Sequence, residues 1–205
     1  MAELPRLPRV KVCGVTRIGD VEPALRLGLE AVGIVRWRGS PRFLPAGPAE
    51  ALASALPAGI LAVEVLVDAA PDDVSGWAGA VQLCGGEAPE TWFGFRLPVL
   101  RRLPVAPGAE VVVEAWSGVA AGFVLDHPSG PGGTGEAVDL ALAAQLARLA
   151  PCLLAGGLDE KNVAERVRAV RPAGVDASSR LESAPGEKDP ARVAAFVRAA
   201  REALS

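Results

Sequence analysis

Eight short apolar segments, spaced along the whole chain, constrain the fold more than any other feature of the sequence. They occupy residues 10–15, 31–35, 61–67, 80–84, 92–97, 122–126, 152–155 and 174–177. Most are apolar throughout rather than alternating, which is typical of parallel strands covered by helices. Eight such strands alternating with helices predict an α/β fold, a single-domain (β/α)8 TIM barrel over residues 1–205. A doubly wound open sheet is the alternative, because strand count alone does not decide closure.

The segments between these strands carry helix-start signals. Asp20, Asp139, Asp159 and Asp189 each precede a helical pattern and are predicted N-caps. The intervals after the fourth and fifth strands predict short or missing helices there. The proline-rich stretch 97–107 is predicted to be a loop.

Composition excludes several classes of protein. The chain has 205 residues, 50% of them hydrophobic, and a net charge of −3, so one sizeable core is expected and a nucleic-acid partner is not. Three scattered cysteines and a single histidine, His127, argue against a disulfide framework or a metal site. No segment has the length of a membrane span, and the first residues do not resemble a signal peptide. We therefore expect a cytoplasmic protein with no membrane partner.

Two chemically active side chains lie at predicted strand ends, where barrel active sites form. Cys13 shares the side of the first strand with Lys11, which we take as the barrel interior. As a base, Cys13 would need its thiol pKa lowered by a nearby cation or helix N-terminus; the alternative is a small buried filler. Asp126 ends the sixth strand and is either a general acid or a turn residue before Pro128. His127 points the other way and is interpreted as structural.

An anion site is predicted where the last two strands end. Gly156 and Gly157 follow the seventh strand, Ser178 and Ser179 follow the eighth, and the alternative for the glycines is a turn before a helix cap. The loops after strands seven and eight of such barrels commonly bind phosphate through backbone N–H groups. Arg42, in the loop after the second strand, can hold a carboxylate, although most arginines are surface residues.

Two further features lie beside these loops. Asp176, within the eighth strand, is a further candidate for the site. The run 130–135 matches G-x-G-x-x-G but lacks the strand–helix context of a dinucleotide site. We interpret it as a flexible loop over the site.

Taken together, these fragments resemble the phosphoribosylanthranilate isomerase family. The matching segments, in chain order, are 11–16 (KVCGVT), 40–43 (SPRF), 81–83 (VQL), 125–126 (LD) with 132–135 (GGTG), 154–158 (LAGGL), and 174–179 (GVDASS) with 185–189 (PGEKD). The resemblance implies a (β/α)8 barrel of tryptophan biosynthesis without metal or cofactor. It would convert N-(5'-phosphoribosyl)anthranilate into 1-(2-carboxyphenylamino)-1-deoxyribulose 5-phosphate by an Amadori rearrangement.

The resemblance also implies roles for the matched residues. Asp126 would be the general acid that protonates the ribose ring oxygen, and Cys13 the general base that removes the C2 proton. Arg42 would bind the anthranilate. The phosphate of the small-molecule substrate would be held by four residues: Gly156, Gly157, Ser178 and Ser179. The apolar character of the chain is compatible with a homodimer.

Three places depart from the family pattern. Cys84 stands where histidine is usual, Arg180 and Leu181 replace a Gly-Val pair, and Arg36 takes a position that is usually apolar. These departures leave the role of strand four and the detail of the phosphate loop open.

Two alternative functions come from the same sequence. One is a related sugar-phosphate reaction, but a dual-substrate isomerase would be expected to have aspartate in place of Cys13. An indole-forming enzyme would need a lysine at a strand end, and Lys11 lies too early in its strand. The other alternative is a non-catalytic barrel that only binds a phosphorylated ligand, against which the pair Cys13 and Asp126 argues.

Overall fold

The computed structural model describes residues 6–128 and 138–205 and contains a closed barrel of eight parallel strands in chain order. The strands are β1 Val10–Cys13, β2 Ala31–Val35, β3 Leu61–Leu66, β4 Ala80–Leu83, β5 Val99–Pro104, β6 Gly122–Asp126, β7 Cys152–Leu154 and β8 Gly174–Ala177. Pairing of β8 with β1, for example Val175 opposite Val10, closes the barrel. The predicted barrel is therefore confirmed, and the open sheet is excluded.

The described residues form seven helices between and after the strands. They are α1 Glu22–Leu25, α2 Ala46–Ala55, α3 Pro89–Trp92, α4 Glu110–Ala115, α5 Leu140–Leu146, α6 Val163–Val170 and α7 Pro190–Leu204. A two-stranded hairpin, β9 Glu182–Ala184 with β10 Glu187–Lys188, follows β8. The helices after the fourth and fifth strands have only four and six residues, as the sequence predicted. The β3–β4 connection carries only a 3-10 turn, Pro71–Asp73, which the sequence did not predict. No helix in the described ranges is long and apolar enough to cross a membrane.

The fifth strand lies further along the chain than predicted. Residues 92–97 are not a strand: Trp92 ends α3, is 1% exposed, and packs edge-to-face on Phe95 with ring centroids 5.0 Å apart. The strand is Val99–Pro104, inside the stretch predicted to be a loop. It holds two adjacent arginines, Arg101 and Arg102, which point to opposite sides of the sheet and find separate partners.

Two of the four predicted caps act as expected. The carboxylates of Asp139 and Asp189 accept hydrogen bonds from backbone N–H groups in the first turns of α5 and α7. Asp159 caps a turn, and α6 begins only at Val163. The prediction that Asp20 is an N-cap was wrong. Its carboxylate accepts a hydrogen bond from the distant backbone N–H of Lys188, at 3.1 Å, instead of from the first turn of the helix that follows it.

The barrel interior has an apolar floor and a polar upper layer. Small and branched side chains fill the floor: Leu7, Ala31, Val63, Ala80, Leu100, Val124, Leu153 and Ala155. Above them, on the same inward-facing register, lie Lys11, Gln82, Arg102, Asp126 and Asp176. The floor closes the N-terminal end of the barrel, so the polar groups meet at the bottom of a pocket that opens at the C-terminal end.

Candidate active site

A pocket with about 790 Å³ of empty space, part of it open to solvent, lies at the C-terminal ends of the strands. Every residue that the sequence placed in a site lines it: Cys13, Arg42, Asp126, Gly156, Gly157, Asp176, Ser178 and Ser179. These residues are up to 166 positions apart, so closure of the barrel brings them together. The glycine-rich run 130–135, interpreted as a loop over the site, lies outside the described ranges.

One wall of the pocket is apolar. Val35, Val65 and Cys84 form a buried cluster there, with Trp37 and Val67 packed against it. Such a wall suits an aromatic ring. Cys84 stands where the family usually has histidine, and it accepts a weak hydrogen bond from Gln82 Nε2 at 3.4 Å.

A buried ion pair lies beneath the pocket. Lys11 is 0% and Asp176 6% exposed, and Lys11 Nζ lies 2.9 Å from Asp176 Oδ2. Burial alone would lower the pKa of Lys11, but Asp176 and Cys13 outweigh it and raise that pKa. Burial raises the pKa of Asp176 although Lys11 opposes it. Lys11 is therefore a fixed cation beneath the pocket.

Cys13 lies above this pair at the end of β1. Room for it depends on Gly33 of the neighbouring strand, where an added Cβ would come within 2.7 Å of Cys13 Sγ and 3.2 Å of Lys11 Nζ. Desolvation in the pocket raises the pKa of the Cys13 thiol, and the charge of Lys11 acts in the opposite direction. The nearby cation expected from the sequence is therefore present, but it does not outweigh burial, and the resting group is a thiol.

Asp126 ends β6 and is held on both carboxylate oxygens. Its Oδ1 accepts from the backbone N–H of His127 at 2.9 Å, and its Oδ2 lies 3.3 Å from Arg102 Nε. Arg102 was not singled out from the sequence, because nothing in the local pattern around it indicates an inward-facing arginine.

Arg42 is paired within the chain. Its Nε and Nη2 donate to the two carboxylate oxygens of Glu182, at 2.7 and 2.8 Å. Lys188 Nζ donates to the same carboxylate at 2.6 Å and to the Ser178 carbonyl oxygen at 3.2 Å. Burial would raise the pKa of Glu182, but the bonds from Arg42 and Lys188 outweigh it and lower that pKa. This bidentate pair fixes the guanidinium in the lining of the pocket.

Sequence reasoning missed Glu182 as a site residue and gave Lys188 no role of its own. The only signal for either was the PGEKD segment, which contains Lys188. The β9–β10 hairpin places both beside Arg42.

The proposed anion end is built from the loops after β7 and β8. Gly156 and Gly157 have φ values of +79° and +65°, where glycine is favoured. Their carbonyls face α6: Gly156 accepts from Arg166 at 2.7 Å and Gly157 from Asn162 at 2.9 Å. Because C=O and N–H point in opposite directions across a trans peptide, the N–H groups of Gly157 and Leu158 point away from α6.

Ser178 is tied into the fold by its side chain. Its hydroxyl donates to the Cys13 carbonyl oxygen at 2.9 Å and contacts Lys188 Nζ at 3.2 Å. Ser178 therefore links the strand ends of β1 and β8, with Ser179 beginning the next 3-10 turn.

The remaining departures from the family pattern differ in their placement. Arg180 lines the pocket, with Nη1 3.6 Å from Asp159 Oδ2. Arg36 points away from the pocket: its Nε lies 3.4 Å from Glu64 Oε1 and its guanidinium lies over the Phe43 ring at 5.8 Å. Arg36 thus contacts the loop that contains Arg42 from outside the barrel, through Phe43.

Comparisons with known proteins agree with this geometry. Residues 10–199 match the family model described as N-(5'phosphoribosyl)anthranilate (PRA) isomerase. The N-(5'-phosphoribosyl)anthranilate isomerase of Myxococcus xanthus is 46% identical over 204 residues, covering 94% of this chain and 96% of that protein. The alignment therefore spans nearly the full length of both chains.

Two solved structures have the same fold. A phosphoribosyl anthranilate isomerase in complex with reduced 1-(o-carboxyphenylamino)-1-deoxyribulose 5-phosphate gives a TM-score of 0.82 at 28% identity, covering 96% of this chain and all of that one. Monomers of the dimeric enzyme from Thermotoga maritima give 0.83 at 27% identity, with the same coverage. The resemblance seen in the sequence is confirmed, and the chain belongs to the N-(5'-phosphoribosyl)anthranilate isomerase family.

Proposed function

We propose that this chain converts N-(5'-phosphoribosyl)anthranilate into 1-(2-carboxyphenylamino)-1-deoxyribulose 5-phosphate, in tryptophan biosynthesis, with Asp126 as acid and Cys13 as base. The observation that carries the proposal is that both side chains line one pocket. That pocket also has an apolar wall at the ends of β2, β3 and β4 and a glycine loop after β7, which the strand order places across the closed barrel from each other. The arrangement suits a substrate with an aromatic ring at one end and a phosphate at the other.

The first step is ring opening. Asp126 gives its proton to the ribose ring oxygen, the C1–O bond breaks, and the anthranilate nitrogen lone pair forms a C1=N Schiff base. Asp126 is left as a carboxylate facing Arg102 at 3.3 Å. A fixed cation beside a charge that develops in the reaction stabilises it without reorganisation.

The second step is the proton shift. The Schiff base acidifies the C2 proton. Cys13 first loses its own proton to solvent in the open pocket, and the thiolate then removes the C2 proton; the C2–H electrons form a C1=C2 bond and neutralise the nitrogen. The resulting enaminol becomes the ketone when C1 is protonated and the C2 hydroxyl loses its proton. Burial raises the pKa of Cys13 and so disfavours its thiolate. The positive charge of Lys11 opposes this effect and stabilises the thiolate.

The remaining residues bind substrate or support those that do. Arg42, fixed by Glu182, holds the anthranilate carboxylate, and the phosphate lies against Gly156, Gly157, Ser178 and Ser179. The Ser178 hydroxyl already donates a hydrogen bond to the backbone carbonyl oxygen of Cys13. We therefore expect the backbone N–H groups of these loops to supply most of the hydrogen bonds to the phosphate. Asp176 acts as the counterion of Lys11 rather than as a substrate ligand.

A homodimer and a cytoplasmic location stay predictions. The dimer is supported by the dimeric Thermotoga maritima relative and by exposed apolar side chains, among them Phe93 at 76% and Val111 at 64%. Light scattering after gel filtration tests it, and a monomer at all concentrations would contradict it.

The loss of substrate fluorescence during turnover tests the proposed activity. We expect Cys13→Ser and Asp126→Asn each to lower kcat by at least roughly 10²-fold, the scale of a lost acid or base. Cys152→Ser is the matched control: this thiol lies in the core outside the pocket, and its loss should leave kcat unchanged. Full activity of both site variants would overturn the residue assignment. Binding of the phosphorylated substrate without turnover by the unmodified protein would instead favour the non-catalytic barrel.

A further inference from the structure

We infer that Arg102 is a positioning residue for Asp126, holding the carboxyl group in the orientation that ring opening requires. This inference rests on the proposed function, because it assigns a task to a neighbour of the proposed acid. It concerns a side chain that neither the family motifs quoted above nor the sequence pattern marks.

The geometry of Arg102 ties three groups together. Arg102 stands opposite Val124 in the β5–β6 register, two residues before Pro104, the partner of Asp126, and is 6% exposed. Its Nε lies 3.3 Å from Asp126 Oδ2, and its Nη2 donates to the His127 carbonyl oxygen at 2.6 Å. The His127 N–H in turn donates to Asp126 Oδ1 at 2.9 Å. One guanidinium thus fixes the acid and the peptide that follows it.

Charge supports the same assignment. Asp126 and Asp176 line the same pocket, and the charge of Asp126 contributes to raising the pKa of Asp176. Lys11 neutralises Asp176, and Arg102 gives Asp126 a separate counterion. Asp126 is half-buried, with its side chain 14% exposed, and a fixed cation beside it compensates for the water that the pocket excludes. Arg102 therefore also stabilises the anion left when Asp126 has given up its proton.

The shape of the guanidinium is part of the inference. Arginine presents several N–H donors in a rigid plane, so Nε and Nη2 reach two different acceptors at once. A lysine ammonium has a similar charge but is a compact point donor. We therefore expect lysine at this position to keep the charge and lose the orientation.

Steady-state kinetics of Arg102→Met, Arg102→Lys and Arg101→Met test the inference. Because a small misplacement of a catalytic group costs up to about 10²-fold, Arg102→Met should lower kcat by about 10- to 100-fold with KM within about twofold. Arg102→Lys should fall between Arg102→Met and the unmodified protein. Arg101→Met is the matched control, since the adjacent arginine faces outward, pairs with Glu87 at 2.6 Å, and should keep kcat.

Two further readouts separate positioning from a structural role. Guanidinium ion added to Arg102→Ala should recover part of the lost kcat, whereas Arg101→Ala should show no such gain. In an Asp126→Asn background, Arg102→Met should cost less than about threefold, because coupled residues are not additive. Thermal unfolding of each variant identifies any loss of folded protein, and guanidinium recovery remains informative for a variant that is less stable.

Several outcomes would overturn the inference. A rise in KM with unchanged kcat in Arg102→Met would make Arg102 a substrate-binding residue. A loss of kcat in Arg101→Met equal to that in Arg102→Met would also contradict the inference, as would full additivity of Arg102→Met with Asp126→Asn. Failure of the proposed function is seen separately, because the unmodified protein would then lack isomerase activity. An active unmodified protein with a fully active Arg102→Met variant would overturn this inference alone.

Discussion

Replacing Lys11 by methionine tests whether the buried ion pair between Lys11 and Asp176 stabilises the barrel interior. Methionine keeps the length and apolar stem of the side chain and removes only the charge. Lys11 Nζ lies 2.9 Å from Asp176 Oδ2, and within the described residues Asp176 Oδ1 has no hydrogen-bond partner. Removal of Lys11 would therefore leave the carboxylate without a compensating cation.

The magnitude follows from burial. Breaking a fully buried pair by deleting one partner costs about 3–5 kcal/mol of unfolding free energy. In a chain of this size, about 1 kcal/mol shifts Tm by roughly 2–4 °C, so Lys11→Met should lower Tm by about 6–20 °C. The exposed Lys161 is the matched control, and Lys161→Met should change the unfolding free energy by less than about 0.5 kcal/mol.

The dependence on pH provides a second check of the same variant. Lys11 opposes the burial that raises the pKa of Asp176, so its loss should raise that pKa further. A carboxyl group whose folded-state pKa lies above its unfolded value of about 3.9 binds protons more readily when folded. The variant should therefore regain stability as the pH falls from neutral towards that raised pKa.

Denaturant unfolding at several pH values measures both effects. Replacing the whole pair, as Lys11→Met with Asp176→Leu, should recover much of the loss because no charge stays buried. The reasoning would be refuted if Lys11→Met lost no more than Lys161→Met at neutral pH, or if its stability deficit grew on acidification.

Three other predictions follow from the site and the caps. The rate of alkylation of Cys13 should increase as the pH rises above the ordinary pKa range of a thiol, and it should exceed the rate for Cys84, whose pKa burial raises to about 12. Mass spectrometry of labelled peptides measures both rates, and faster alkylation of Cys84 would contradict the prediction. Glu182→Gln should raise KM about tenfold or more with a small change in kcat, because the charged partner that orients Arg42 is weakened; an unchanged KM in the fluorescence assay would remove the pair from substrate binding. Asp189→Ala should cost about 1 kcal/mol of unfolding free energy through loss of the α7 cap, measured by denaturant titration, and no measurable loss would show that the cap contributes little.

Features determined by local pattern could be predicted from the sequence. Seven of the eight strands have apolar runs that identify them, and nearly all of their residues are buried. The caps at Asp139 and Asp189 depend on N–H groups two and three residues ahead, so a short segment contains all the necessary information. The strand ends that carry Cys13 and Asp126 follow directly from the strand assignment.

Features that depend on distant partners could not be predicted. The fifth strand escaped detection because Arg101 and Arg102 interrupt its apolar run, and each arginine becomes acceptable only through a partner from another segment. Asp20 has the composition of a cap but bonds to residue 188, 168 positions away. Glu182 meets Arg42 across 140 positions, and only the closed barrel brings the two side chains together.

The opposed arginines of β5 have a consequence for how this strand can change during evolution. Deleting or inserting one residue before Arg101 would rotate the rest of the strand by one position, because side chains alternate strictly between the faces. Arg101, now bonded to Glu87 and lying 5.0 Å from the Trp116 ring, would then turn towards the barrel interior, and Arg102 would turn outward. The exchange would keep a guanidinium on each face, yet neither would retain its partners. Length changes should therefore be tolerated in the surrounding loops and eliminated in β5, although β5 is the least apolar strand of the barrel.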